Sequence, residues 1–396
     1  MTPVVTGVRM SGARHRAELP LLVLGPSLGT SAGALWTDCA HHLADDFDVL
    51  AWDLPGHGHN RSVPDEPLTM AELAAGVLAL VADVQEQRGD AGTPFAYAGV
   101  SVGGAVGLHL LLDHPDRVTA ATLVCTGARI GDATSWSSRI EQVKASGTSG
   151  LVSASAERWF ATGFMEQHPR RASALLHALA DAADAGYVQV CGALAAFDVR
   201  DRLAEVTQPV LAIAGAQDPV TPPALVAGIA DGVKDGRLVV LDDASHLAPA
   251  ERPADVARLI RRHVRGESLE SPEGAERSEG EAVRREVLGD AHVDRSLAGA
   301  TDLTREFQDF ITTYAWGGIW TRPGLDRRSR SMITLTALVG GGHHQELALH
   351  LRAARRNGLT WDEIKEVLLQ TAIYCGVPAA HSAFRIAQQV RDEEDQ

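Results

Sequence analysis

The stretch "FAYAGVSVGGAVGLHLLLDHPDRV", residues 95–118, decides how most of the chain folds. Its first six residues form a continuous apolar run of the length of a strand buried on both faces. A helix opens directly after it, and Gly99-Val100-Ser101-Val102-Gly103 makes the turn between them. Five residues of the pattern G-x-S-x-G carry little weight alone, because glycine and serine are common. Placed between a strand and a helix they gain meaning, since the turn brings two backbones together and only glycine leaves room at its flanks. Ser101 is then held in a strained conformation with its oxygen exposed, as a nucleophile requires.

Outward from this turn, short β-type runs alternate with amphipathic helical segments. They are "LPLLVLG" (19–25), "FDVLAWD" (47–53), "VTAATLVC" (118–125), "PVLAIAG" (209–215) and "GRLVVLD" (236–242). The near-continuous apolar character of several of them predicts strands buried on both faces, hence a mostly parallel sheet covered by helices on each side, an α/β fold. At about 265–285 the composition changes to "RGESLESPEGAERSEGEAVRR", with hardly a large apolar residue. Such a stretch cannot bury enough surface to offset its ordering entropy, so it reads as a linker or a solvated first helical turn. Beyond it the pattern is helical, punctuated by Gly and Pro, with no convincing strand. The expected organisation is an α/β domain over 1–265 with a helical cap over about 130–200, a linker over 266–282, and an all-α domain over 283–396.

Composition narrows the function. The chain has 396 residues and a net charge of −15. That balance argues against a general nucleic-acid or anionic-membrane binder, both of which need clustered positive charge. The N-terminus "MTPVVTGVRMSGARHRAELP" lacks a basic segment followed by an apolar one, and no apolar run approaches the length of a membrane span. Four widely spaced cysteines, Cys39, Cys125, Cys191 and Cys375, suggest neither a zinc site nor a disulfide framework. The expectation is a soluble cytoplasmic protein that uses no metal.

A serine hydroxyl attacks well only when a base takes its proton, and the base needs an orienting acid. Asp218 in "PVLAIAGAQDPVTPP" lies just beyond a buried strand, and His246 in "GRLVVLDDASHLAPAERP" follows the last strand. Both positions deliver side chains to the same end of the sheet as Ser101. Asp242 and Asp243 compete for the acid role from the loop of His246. The oxyanion donors are expected from the N–H of Val102 and that of Leu28, in the loop after "LPLLVLG". His57 and His59, in the turn "WDLPGHGHN", read as structural.

The segments "LGPSLGT", "WDLPGHGHN", "GVSVGG", "CTGARIG", "RWF", "AGAQDPVTPP" and "DASHLAPAERP" together resemble the 3-oxoadipate enol-lactone hydrolases, a group of α/β-hydrolases, over roughly residues 1–265. The resemblance implies an ester hydrolase acting on a five-membered enol-lactone with an acetate arm, and a triad in the order Ser101, Asp218, His246. An anionic substrate asks for positive charge in the cap. Arg129 and Trp136 are the leading candidates, with Arg158 and Trp159 behind them.

In the C-terminal part, "TAIYCGVPAAH" (371–381) raises the question of thiol chemistry at Cys375. The segments "WGGIWTRPGLDRRSRSMITLTAL", "ELALHLRAARRNGLTWDEIKEVLLQTAIYCGVPAA" and "FRIA" resemble the 4-carboxymuconolactone decarboxylases of the alkylhydroperoxidase-like group, over roughly 280–396. Redox members of that group carry C-x-x-C, whereas here the third residue after Cys375 is Pro378, so dithiol chemistry is not expected. Cys375 and Tyr374 read instead as pocket-wall residues, on a helix whose apolar stripe runs through Ile364, Val367 and Leu368. Glu346 and His350, at i and i+4, share one helix face. His350 is the expected proton carrier, and Arg322 and Arg330 are the expected carboxylate holders. Thr360 and Glu363 form a capping box, which accounts for Glu363 without catalysis. His381 carries no assigned role.

The two resemblances reinforce one another, because the product of the decarboxylase is the substrate of the hydrolase. They imply a bifunctional enzyme of protocatechuate degradation (the 3-oxoadipate pathway) that needs no cofactor. Its substrates are small anionic lactones, and it assembles as a homo-oligomer through the C-terminal domain. The alternatives are a general esterase whose C-terminal domain serves oligomerisation alone, and a serine domain that works on a different ester or peracid.

Overall fold

The structure is a computed structural model that describes residues 2–10, 18–269 and 272–394. It divides into two compact units, Met1–Leu269 and Glu270–Gln396.

The first unit is built on seven strands: β1 (Thr6–Met10), β2 (Leu21–Gly25), β3 (Asp48–Asp53), β4 (Phe95–Val100), β5 (Val118–Val124), β6 (Val210–Gly215) and β7 (Gly236–Leu241). Their order across the sheet is β1-β3-β2-β4-β5-β6-β7. All neighbours run parallel except β1, which pairs antiparallel with β3 from Thr6 opposite Asp53 to Met10 opposite Val49. Every residue of β2, β3, β4 and β6 is buried, which is why these strands read as unbroken apolar runs. β1 is absent from the sequence reading. It contains Gly7 and Arg9 and is half-buried throughout, so pairing with β3 makes it a strand rather than any apolar pattern of its own.

The strand order reverses direction beside β2, whose neighbours are β3 and β4. At such a switch point the loops leaving two adjacent strands diverge and open a crevice at the strands' C-terminal ends. Here those loops are the one after β2, with Leu28, and the one after β4, with Ser101. The cap enters between β5 and β6 as the helices Ala133–Ser146, Val152–Trp159, Phe164–Gln167, Pro169–Ala180 and Asp184–Ala196.

The second unit is helical throughout its described residues. The segment expected as a linker over 266–282 is in fact helical from Pro272, in a helix that continues to Leu288. Glu, Ala and Arg are good helix formers, and the missing apolar residues arrive in its second half, where Val283, Val287 and Leu288 pack with Trp316 and Val293. Gly280 is where this helix meets the π-helical segment Ile311–Trp320, since a Cβ there would lie 2.5 Å from the Gly317 nitrogen. The remaining long helices, Arg327–Gly340, His344–Arg356, Trp361–Cys375 and Val377–Glu394, bury Leu335, Leu347, Leu351, Leu368 and Ile386 against one another. Among the described residues no helix is long and apolar enough to cross a membrane.

Candidate active site

Ser101 joins β4 to the helix Val102–Asp113 with φ 54° and ψ −115°, a left-handed conformation that costs a non-glycine residue about 1–3 kcal/mol. Three hydrogen bonds hold it there. Its N–H donates to the Val124 carbonyl (3.0 Å), and its carbonyl accepts from Thr126 Oγ1 (2.7 Å) and the Ala105 N–H (3.0 Å). Gly103 lets the β2 loop approach, because a Cβ at this position would lie 2.6 Å from the Pro26 oxygen, and its N–H donates to that oxygen at 2.9 Å. The N–H groups of Leu28 and Val102 have no acceptor among the described residues. Val102 is also the first residue of its helix, where the backbone dipoles favour negative charge.

His246 and Asp218 come from the loops after β7 and β6. His246 Nδ1 donates to Asp218 Oδ2 at 2.9 Å, and both side chains are buried. Asp218 also accepts from Thr221 Oγ1 (2.6 Å) and from the N–H groups of Val220 (2.8 Å) and Thr221 (3.1 Å). Burial by itself would raise this carboxyl. The charge and hydrogen bond of His246, joined by the Thr221 donors, outweigh it and hold Asp218 below the usual carboxylate range. Asp242 and Asp243 are exposed, and Asp243 pairs with Arg252 at 3.0 Å. His57 is buried, donates to the Pro55 carbonyl (2.9 Å), and is pushed down to about 4 by that burial.

Ser101, His246 and Leu28 line one cavity beneath the cap, whose wall includes Trp136, Trp159, Tyr187, Arg139 and Arg158. Trp136 is fixed by donating Nε1–H to the Ile130 carbonyl at 2.6 Å. Arg129 does not line this cavity; it lies beside Asp132 and Asp198. Arg139 takes its place, three residues after Trp136 on the same helix face, and this i+3 spacing was the signal the sequence held. No carboxylate lies within ion-pair distance of Arg139 or Arg158 among the described residues, although the two cations are close enough to repel. Burial first, and Arg139 second, push the Arg158 guanidinium down. Two guanidinium groups without an ion-pair partner among the described residues, in the wall of the cavity that Ser101 lines, have the chemistry to receive an anion.

In the second unit His350 is half-buried, and burial pushes it below the ordinary imidazole value of 6.5; Glu346 opposes the shift and His292 adds to it. His292, on the helix Asp290–Ala298, lies near Arg284 and Glu346 and was missed in sequence, where "DAHVDRS" shows no pattern. Arg284 is buried and donates to Thr312 Oγ1 (3.0 Å), Ser296 Oγ (3.0 Å) and Gln308 Oε1 (2.9 Å). Arg330 donates to the carbonyls of Arg322 (2.8 Å) and Leu325 (3.2 Å), so it braces the turn, and Arg322 is exposed. Tyr374 is 79 % exposed and Cys375 is exposed as well. Both stand on the outer face of their helix, whose buried stripe runs through Ile364, Leu368 and Thr371. Gly376, at φ 90°, ends that helix. The Thr360–Glu363 capping box is formed in both directions, and Glu363 also pairs with Arg328.

A model of the alpha/beta hydrolase fold family matches residues 20–253, and one of the carboxymuconolactone decarboxylase family matches residues 305–389. The chain belongs to both families. Its hydrolase part is 34 % identical to 3-oxoadipate enol-lactonase 2 of Acinetobacter baylyi over 238 residues, covering 60 % of this chain and 86 % of that protein. Its decarboxylase part is 46 % identical to the 4-carboxymuconolactone decarboxylase of the same organism over 112 residues, 28 % of this chain and 84 % of that protein. A nitrosuccinic acid decarboxylase of Metarhizium robertsii is also 46 % identical, over 111 residues, 28 % of this chain and 78 % of that protein. Among solved structures, the enol-lactonase from Burkholderia xenovorans superposes with a TM-score of 0.61 at 29 % identity, covering 66 % of this chain and 96 % of that one. The matched hydrolase part contains Ser101, His246, Asp218, Arg139 and Arg158, and the carboxymuconolactone decarboxylase match contains Glu346 and His350, with His292 just before it.

Proposed function

We propose that the chain is a bifunctional enzyme that decarboxylates 4-carboxymuconolactone to 3-oxoadipate enol-lactone and hydrolyses that lactone to 3-oxoadipate. The observation that carries the reading is the joining, in one chain, of two parts whose relatives are named for an enol-lactonase and a 4-carboxymuconolactone decarboxylase. The product of the second activity is the substrate of the first. Purified protein given 4-carboxymuconolactone is expected to release CO2 and 3-oxoadipate in equal amounts. Hydrolysis of simple esters with no CO2 release would favour an esterase carrying a non-catalytic helical module.

In the hydrolase part, Ser101 Oγ attacks the lactone carbonyl while His246 takes its proton, with Asp218 holding the imidazole tautomer. The oxyanion sits against the N–H groups of Leu28 and Val102. The ring oxygen leaves as an enolate, which takes the proton held by His246 to give the enol, and the enol tautomerises to the ketone, leaving His246 neutral. Water then attacks the acyl-serine with His246 again as base, and the new carboxylate is released. Arg139 and Arg158 hold the substrate's acetate arm. Arg139→Gln and Arg158→Gln are each expected to raise KM for the enol-lactone about tenfold, the loss of one charge-assisted hydrogen bond, with kcat changed little; steady-state kinetics check this.

In the decarboxylase part the substrate is its own electron sink. The electrons of the breaking C–CO2 bond form a carbon–carbon double bond, the ring double bond shifts, and the lactone oxygen holds the charge until a ring carbon takes a proton from His350. Burial favours the neutral imidazole, so the protonated form survives only on the acid side of 6.5. CO2 release is therefore expected to slow as pH rises through that region. His350→Gln is expected to lower kcat about 100-fold and flatten the profile, measured by CO2 evolution across pH.

The assembly is a homo-oligomer formed by the decarboxylase part. Phe307, Phe310, Tyr314, Ile373, Tyr374 and Val377 are all more than half exposed there, and a set of large apolar side chains of this kind is characteristic of an association surface. Contact with a second copy would also enclose Tyr374 and Cys375. Light scattering is expected to give a multimer for the full chain and a smaller species for Phe310→Glu.

A further inference from the structure

Glu251 is a buried carboxylate beside the histidine loop that the hydrolytic steps do not use. Glu251, in the helical turn Ala248–Glu251 after the histidine loop, is 5 % exposed. Its Oε1 accepts from the Ala161 N–H at 2.6 Å, and its Oε2 accepts from the Ser245 N–H at 2.9 Å. Ser245 directly precedes His246. Ala161 belongs to the cap, two residues beyond the helix Val152–Trp159 that carries Arg158 and Trp159 into the cavity wall. Each oxygen of this one carboxylate therefore grips a different part of the site.

Neighbouring contacts reinforce the same junction. The Thr162 N–H donates to Gln217 Oε1 at 2.9 Å, and Gln217 directly precedes Asp218. Ser245 Oγ donates to the Gln217 carbonyl at 3.1 Å and reaches the Arg158 carbonyl at 3.4 Å. A carboxylate suits this place because it offers two acceptor oxygens and no donor, and two backbone N–H groups converge on it. An amide would turn a donor toward one of them. Burial pushes the Glu251 carboxyl up to about 7, against the pull of the Ala161 and Ser245 donors and of His246. The fold thus tolerates an unfavourable burial at a point where cap and histidine loop meet.

We propose that Glu251 is a positioning residue that latches the cap to the histidine loop, so that one carboxylate sets both the placement of Arg158 around the substrate's charged arm and that of His246 beside Ser101. The inference rests on the enol-lactonase reading for the charged arm alone. The test compares Glu251→Ala and Glu251→Gln with the wild type on two substrates, the enol-lactone and p-nitrophenyl acetate, which carries no charge for the arginines to hold. Glu251→Ala is expected to lower kcat about tenfold on both substrates and to raise KM about tenfold on the lactone alone. Glu251→Gln, which keeps one acceptor, is expected to fall between, and it carries the same comparison should the alanine variant fail to fold. A fall in kcat alone, equal on both substrates, would restrict Glu251 to the histidine and overturn the latch. So would a lower melting temperature with unchanged kinetics. Wild-type protein that turns over the acetate but not the lactone would overturn the substrate reading instead, and the latch would then be decided on the acetate by whether Glu251→Ala lowers kcat and also weakens competitive inhibition by succinate, an anion for the arginines, about tenfold.

Discussion

Ser101→Ala is expected to convert the enzyme into a lactone-accumulating decarboxylase. Loss of the nucleophile removes the acyl intermediate, and comparable serine hydrolases lose about 10⁴- to 10⁶-fold in kcat when a triad member is removed. The substitution leaves the backbone strain as it is and opens no cavity, since alanine keeps the Cβ and lacks only the hydroxyl, and the N–H and C=O contacts of residue 101 are backbone bonds or bonds to its carbonyl. The fold should therefore survive. CO2 release from 4-carboxymuconolactone is expected to continue at the wild-type rate while enol-lactone builds up and 3-oxoadipate does not. Simultaneous measurement of CO2 and of both organic products checks it. Loss of CO2 release along with hydrolysis would mean that a single site serves both reactions, contrary to the assignment of one to each unit.

Asp218→Asn is expected to cost about 10⁴-fold in hydrolysis with the structure preserved. Asp218 receives the Nδ1–H of His246 at 2.9 Å, which leaves Nε2 as the free base that must face Ser101. An asparagine can present its NH2 to Nδ1, which drives the proton to Nε2 and removes the base. The Thr221 and Val220 donors to the remaining oxygen stay satisfied, so stability changes less than activity. Asp242→Asn and Asp243→Asn are exposed changes and are expected to leave hydrolysis within about twofold. An equal loss at Asp243 would transfer the acid role to the histidine loop.

The parts of this protein visible in the sequence are those that local rules govern. The turn at Ser101 is legible because its glycines answer a close approach between a strand and the helix that follows it directly. Asp218 and His246 are legible because each follows a strand, the buried β6 and the half-exposed edge strand β7, and strand ends in a parallel sheet share one edge. The capping box at Thr360 and Glu363 spans four consecutive residues and needs nothing beyond them. The edge strand β1 escaped because its conformation comes from its partner β3 rather than from its own residues. The helix from Pro272 escaped because its polar first half resembles a solvated linker until Val283 and Val287 find Trp316.

The binding and positioning groups escaped for the same reason in stronger form. Arg129 has the more suggestive sequence context, at a strand end, yet it lies beside Asp132 and Asp198, while Arg139 and Arg158 from two different cap helices meet at the cavity. His292 and His350 come together from separate helices. Glu251 lies in plain view five residues after His246, but nothing local says that its carboxylate reaches a cap segment ninety residues earlier in the chain. Tyr374 and Cys375 read as pocket wall from residue type and stand exposed because their helix buries its other face. The sequence by itself therefore determined the two folds and the tight turn at Ser101, and it placed Asp218 and His246 at the same sheet edge, all of which rest on interactions within a few residues or on strand ends sharing an edge. Only the tertiary structure decided which cations stay unneutralised and which carboxylate is buried between two segments, because charge and burial at a site are set by side chains that meet across long stretches of chain.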